Sequence, residues 1–309
     1  MAASNSNGPV TQQPRLFYDG GVDASSGRRV EPANRGADAL IQLERVTADD
    51  GREYFKMQRR IAYCDERLGE LLVPLETGSF TTDLTSVPAL FTWLVPKTGE
   101  HLPATLLHDG LSHPVGAPEY SSTNNVVVKR AEADRVLRDA LRDAGTGLIR
   151  RWLIWSAVAM VTMLQCSGTG WPAWLQWWYR VFVSLTGLGI LVLGIWASLD
   201  LFDAEISWLP NLPWMGDRQW WVELVGGLSA AVVLPVGASL FWWPFWKAGA
   251  VAGVSLAVLL HVTVALLLIS AMYQVMERFR KKWPKTAGAL AGLGMVAALG
   301  GFVWVLVTR

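Results

Sequence analysis

The chain has 309 residues, 27 basic against 26 acidic side chains and 51% hydrophobic residues, and its net charge of +1 by itself says nothing about nucleic acid, which is not among the expected partners. That average hides two unlike halves: residues 1–151 carry 18 basic and 20 acidic side chains, whereas residues 152–309 carry 9 and 6. Two cysteines, Cys64 and Cys166, are too few for a zinc motif or a disulfide scaffold and suit a reducing compartment.

Residues 1–38 are rich in Ser, Asn, Gly, Arg and Pro and contain no apolar run, which predicts a disordered arm rather than a signal peptide. The domain that follows is therefore expected in the cytoplasm. Ala39–Arg45 and Glu53–Tyr63 have β-tolerant character around an Asp50-Gly51 turn, and Leu71–Leu75 is a further short strand closed by Thr77-Gly78. Pro103 is well placed as a first helical residue, and Ala104, Leu107, His108 and Leu111 then share one face. Residues 114–125 read as a loop. Ala131–Ala144 predicts an amphipathic helix with Val136, Leu137, Ala140, Leu141 and Ala144 as its stripe and Gly145 as its stop. These elements make a small soluble α+β domain, expected over residues 39–165.

The remainder, residues 166–309, reads as an all-α transmembrane helical domain. Val181–Leu199, Leu224–Trp246, Ala248–Met276 and Thr286–Thr308 contain no Asp, Glu, Lys or Arg, and about 20 apolar residues suffice to cross a hydrocarbon core. Sixteen of the 17 tryptophans follow Arg151, with pairs at the ends of these runs, as expected of side chains at the headgroup level. Four spans are expected. Trp152–Cys166 is open as a fifth, because a fifth crossing would bring the basic segment Arg278–Lys285 to the cytoplasmic side. Gly249-x-x-x-Gly253 and Gly288-x-x-x-Gly292 suit close helix approach and self-association into a homo-oligomer. The expected partners are thus the bilayer of an inner or plasma membrane and further copies of the chain. His261 is the one strongly ionisable side chain within the runs, and it reads better as a helix contact than as part of an ion path.

The residue types that carry chemistry lie in the soluble domain. Asp83, within Phe80–Pro88, follows a strand and precedes a turn, where a carboxylate caps backbone N–H groups. His108 lies on an apolar helix face and is followed by Asp109; such a pair can ligate a metal or act as a base with its orienting partner. Asp134 shares the face of Leu137 and Leu141 rather than that of Arg135, Arg138 and Arg142, and a carboxylate aimed at a core needs a partner. His108 is the candidate partner. Asp83, His108, Asp109 and Asp134 are therefore the catalytic candidates, with His108, Asp109 and Asp134 as the set for a divalent metal. Ser86 lacks the glycines of a nucleophile elbow, His101 and His113 read as loop residues, and no phosphate-binding loop or dinucleotide fingerprint occurs.

The order Phe-x-Thr-Asp-x-x-Ser-x-Pro (Phe80–Pro88), Trp-Leu-x-Pro (Trp93–Pro96), Ala-x-x-x-His-Asp (Ala104–Asp109) and Ala-Asp (Ala133–Asp134) resembles the family called domain of unknown function 1353, found largely in phages and prophages. The resemblance covers about residues 66–160 and departs from the family at Ala89, where a basic residue is usual, and after His108-Asp109, where an aromatic is usual. It implies a fold, a residue set and a phage or prophage origin, but no reaction. It also implies that Trp152–Leu164 is the family's final helix, against a fifth span. Two functions follow: a membrane-anchored, metal-dependent hydrolase, or a non-enzymatic membrane protein that anchors, senses, assembles or permeabilises. They differ in whether the Asp/His cluster opens into a pocket or is buried as a structural network.

Overall fold

The structure, a computed structural model, describes residues 17–47, 53–84, 95–112, 118–123, 125–202, 208, 210–215, 218–284, 286, 288, 292 and 295. The chain divides into two compact units, residues 1–258 and 259–309. Strands β1 (Phe17–Asp19), β4 (Ile61–Asp65), β5 (Gly69–Val73) and β7 (Ser121–Ser122) form one antiparallel sheet in the order β1-β4-β5-β7. Strands β2 (Leu43–Thr47), β3 (Glu53–Met57) and β6 (Thr81–Thr82) form a second, in the order β2-β3-β6.

Two elements differ from the sequence reading. Residues 17–38, expected within a disordered arm, begin with β1 and stay tied to β4. Phe17, Tyr18 and Val22 are buried, and Arg59 grips both oxygens of Asp19 at 2.7 and 2.6 Å. The single strand expected over Glu53–Tyr63 is two. The Gln58 N–H donates to Gln42 O and the Arg60 N–H to Gly21 O, so the chain passes from one sheet to the other across three polar residues.

Helices α1 (Leu102–Leu111), α2 (Arg130–Asp143) and α3 (Leu148–Gln165) complete the α+β head. Pro103 stands in the first turn of α1. The stripe of α2 is buried as expected, and Gly145 ends that segment at φ +74°, a conformation glycine adopts without steric cost. The core joins Ile61, Tyr63, Leu71 and Val73 of the sheet to Leu107 and Leu111 of α1, Leu137 and Leu141 of α2, and Ile154 of α3. Gly110 lets α1 approach β5 closely: a Cβ there would lie 2.5 Å from Val73 Cγ1.

Helix α3 replaces the fifth span. It begins with Arg150 and Arg151 in its first turn and gives Ile154 to the head core and Met163 to a cluster with Tyr179, Val183 and Trp242. It is a docking helix, and it does not meet the length and apolarity of a crossing. Helices α4 (Ala173–Leu201) and α5 (Trp220–Ser239, continued by a 3-10 turn to Trp242) do meet them. Only 17% and 11% of their apolar windows are buried, unlike the core helices of a soluble protein. They run antiparallel. At one end Trp178 Nε1 donates to Phe241 O at 2.9 Å and the Tyr179 hydroxyl to Trp243 O at 2.8 Å; at the other, Trp196 Nε1 donates to Pro210 O at 3.0 Å.

Two helices long and apolar enough to cross a membrane thus stand among the described residues, where four spans are expected. The third expected span falls on helix α6 (Trp246–Lys282), whose stretch Trp246–Leu259 is shorter than a crossing. The fourth lies largely outside the described residues, as does the side chain of His261. Gly249 and Gly253 are used within the chain: a Cβ at either would meet Trp242 or Pro235 at 2.8 Å, so these glycines admit the α5 segment.

Candidate functional site

His108 lies on the inward face of α1 and Asp134 on the inward face of α2, because each falls in register with the apolar stripe of its helix. Where the two helices pack, His108 Nε2 and Asp134 Oδ1 are 2.8 Å apart, joining the two side chains as the sequence anticipates. With Oδ1 as acceptor, the Nε2–H tautomer of the ring is the donor. Asp134 is fully buried and His108 is 6% exposed. The second oxygen, Oδ2, is buried without a hydrogen-bond partner among the described residues.

Asp109 takes another direction. Successive helical residues diverge by about 100°, and Asp109 Oδ2 accepts from the Thr82 hydroxyl of β6 at 2.6 Å. The same hydroxyl accepts the Leu84 N–H at 2.9 Å. Thr82 thus caps the Leu84 N–H, with buried Leu84 at φ +72°, a rare conformation for a residue with a branched side chain. Asp83 follows directly on β6 and is half-buried. The expected metal set of His108, Asp109 and Asp134 is not assembled. Among the described residues no three His, Cys, Asp or Glu side chains could hold a metal ion, and the helical twist that separates His108 from Asp109 is the reason. Ser86 and His113 lie outside the described residues.

Sequence reasoning misses three features. His101, expected in a loop, is fully buried at the start of α1 with Nε2 2.8 Å from Pro96 O, and burial lowers its pKa. Thr82 carried no chemical signal beyond its place in the Phe80–Pro88 motif. Arg135, expected on a solvated face, instead reaches Asp65 of β4 through two hydrogen bonds of 2.7 and 3.0 Å and also pairs with Glu132 and Asp139. Burial opposes ionisation of Asp65, yet Arg135 and the N–H groups of Leu68 and Arg67 together hold its carboxyl below the usual range. The adjacency of Asp134 and Arg135, about 100° apart around α2, was the available hint.

Residues 55–158 match the family described as "Protein of unknown function (DUF1353)", about a third of the chain, from β3 into α3. The match takes in Thr82, His108, Asp109 and Asp134, and it ends within α3, in keeping with α3 as part of the head. No curated protein and no solved structure matches the chain.

Chemically, the arrangement can do two things. A buried Asp–His hydrogen bond ties α1 to α2. The same pair can also orient a histidine as a base, which needs an open face on the ring.

Proposed function

We propose that the chain is an integral membrane protein in which α4 and α5 cross the bilayer as a hairpin and carry the α+β head on the cytoplasmic side. The observation that carries this reading is the exposed apolar surface of the two helices, including Leu188 and Ile195 of α4 and Val225 and Val233 of α5. Such a surface is costly in water and at home in lipid. Tryptophans bracket it: Trp178 to Trp196 is 18 residues and Trp221 to Trp242 is 21, about 27 and 32 Å of helix against a hydrocarbon core of about 30 Å. The segment between the helices, residues 202–219, contains a single basic residue, Arg218, whereas Arg150, Arg151, Arg180 and Lys247 lie toward the head end. That asymmetry favours a cytoplasmic head.

The head acts as a binding or sensing module, with the His108–Asp134 pair as its interhelical tie. Its burial supports this over a hydrolase centre, for which the ring would have to meet substrate. The phage or prophage setting follows from the family resemblance alone.

The test uses full-length protein in native membranes with Cys64 and Cys166 replaced. Carbonate-washed membranes should retain the chain, and an impermeant thiol reagent should label Trp208→Cys from outside and Arg29→Cys only after permeabilisation. Release by carbonate would end the membrane reading, and the reverse labelling pattern would end the assigned orientation.

A further inference from the structure

Between α2, α3 and the turn that joins α5 to α6 lies a groove of about 340 Å³ that neither the family resemblance nor the His108–Asp134 pair explains. Its charged lining is entirely basic: Arg135, Arg138 and Lys247, with Trp155, Phe245 and Trp246 as apolar walls. Arg135 is committed to Asp65, Glu132 and Asp139. Arg138 shares Asp139 at 3.1 Å and lays its guanidinium over the Trp155 ring at 5.6 Å. Lys247 stands 5.7 Å from the Trp246 ring centre and has no carboxylate partner among the described residues.

Two cations around an apolar-walled groove suit a ligand that is anionic at one end and apolar at the other. Phosphate oxygens take bidentate bonds from guanidinium groups and point-charge contacts from ammonium groups.

The groove's position narrows the source. Its Pro244–Lys247 wall follows directly on Trp242 and Trp243, in the aromatic cluster where the Tyr179 hydroxyl and Trp178 indole close the head end of the α4–α5 hairpin. With the hairpin in a bilayer, that cluster lies at the headgroup level. We infer that this groove binds the phosphate of an anionic lipid headgroup, with Arg138 and Lys247 as the phosphate contacts. The inference rests on the membrane reading above, but its test does not measure insertion.

Full-length protein in a neutral detergent is titrated with short-chain phosphatidylglycerol, short-chain phosphatidylcholine and inorganic phosphate, with binding followed by calorimetry. Phosphatidylglycerol should bind at least about tenfold more tightly than the other two. Arg138→Gln with Lys247→Gln should weaken it by about tenfold or more. Arg28→Gln with Arg29→Gln, an equal charge change on an exposed loop of the head, should leave it unchanged. Thermal melts of each variant check that the fold is intact. Inorganic phosphate binding as tightly as phosphatidylglycerol would overturn the lipid assignment. An unchanged affinity in the double variant would overturn the site. An equal loss in the Arg28→Gln, Arg29→Gln control would reduce the effect to bulk charge and overturn it as well.

Discussion

Replacing Asp134 by Ala tests the heart of the head directly. The substitution removes the only hydrogen-bond partner that the described structure gives His108 Nε2, at 2.8 Å, in a place where the histidine is 6% exposed and the aspartate fully buried. Leaving a buried donor unmade costs about 1–3 kcal/mol, and the void left by the carboxylate adds roughly 1 kcal/mol. In a head of this size each kcal/mol moves the melting temperature by roughly 2–4 °C, so Asp134→Ala should lower it by about 5–15 °C. Asp134→Asn keeps the volume and an acceptor oxygen and should cost about 1 kcal/mol. The double change His108→Phe with Asp134→Leu removes both polar groups and should recover much of the loss, because no donor remains unsatisfied. The assay is thermal unfolding of detergent-solubilised full-length protein followed by protease susceptibility of the head. If Asp134→Ala melts within about 1 °C of the parent, or if the double variant loses as much as Asp134→Ala, the pair is not an interhelical tie and the argument fails.

Other consequences are equally open to measurement. Asp65 has a folded-state pKa below its unfolded value, so its contribution is fully present above the unfolded value and is lost as pH falls through the folded one. Melting temperature should therefore drop on acidification below about pH 4, and Asp65→Asn should flatten that dependence while costing about 3–5 kcal/mol at neutral pH; an unchanged acid slope in the variant would contradict the pairing. Gly110→Ala should destabilise the head by about 1–3 kcal/mol, since its Cβ would press on Val73 Cγ1 at 2.5 Å and Glu119 O at 3.0 Å. Gly145→Ala, in open space but at φ +74°, should cost about 1 kcal/mol; a larger loss there than at Gly110 would reverse the packing argument. Thr82→Val should loosen the turn at Leu84 without melting α1, which hydrogen exchange at the Leu84 amide would report as faster exchange at that position.

Much of the architecture is written in local periodicity. The stripe of α2, the Pro-started α1, the antiparallel pairing of Leu43–Thr47 with Glu53–Met57, and the approach of His108 to Asp134 all follow from which residues share a helix face or alternate along a strand. The two long apolar helices follow from an uncharged run, which needs no knowledge of neighbours. What tertiary structure alone decided is which partner each polar group found. The helical twist turned Asp109 away from His108 toward Thr82, and packing against β4 took Arg135 out of solvent to Asp65. The head core claimed one face of α3, an apolar helix that composition alone leaves free to enter a bilayer. Gly249 and Gly253 were likewise taken by Trp242 and Pro235 of the same chain, although the pattern serves equally for a second copy. A sequence carries the periodicity of a face, and the surface that meets that face is set by residues far along the chain.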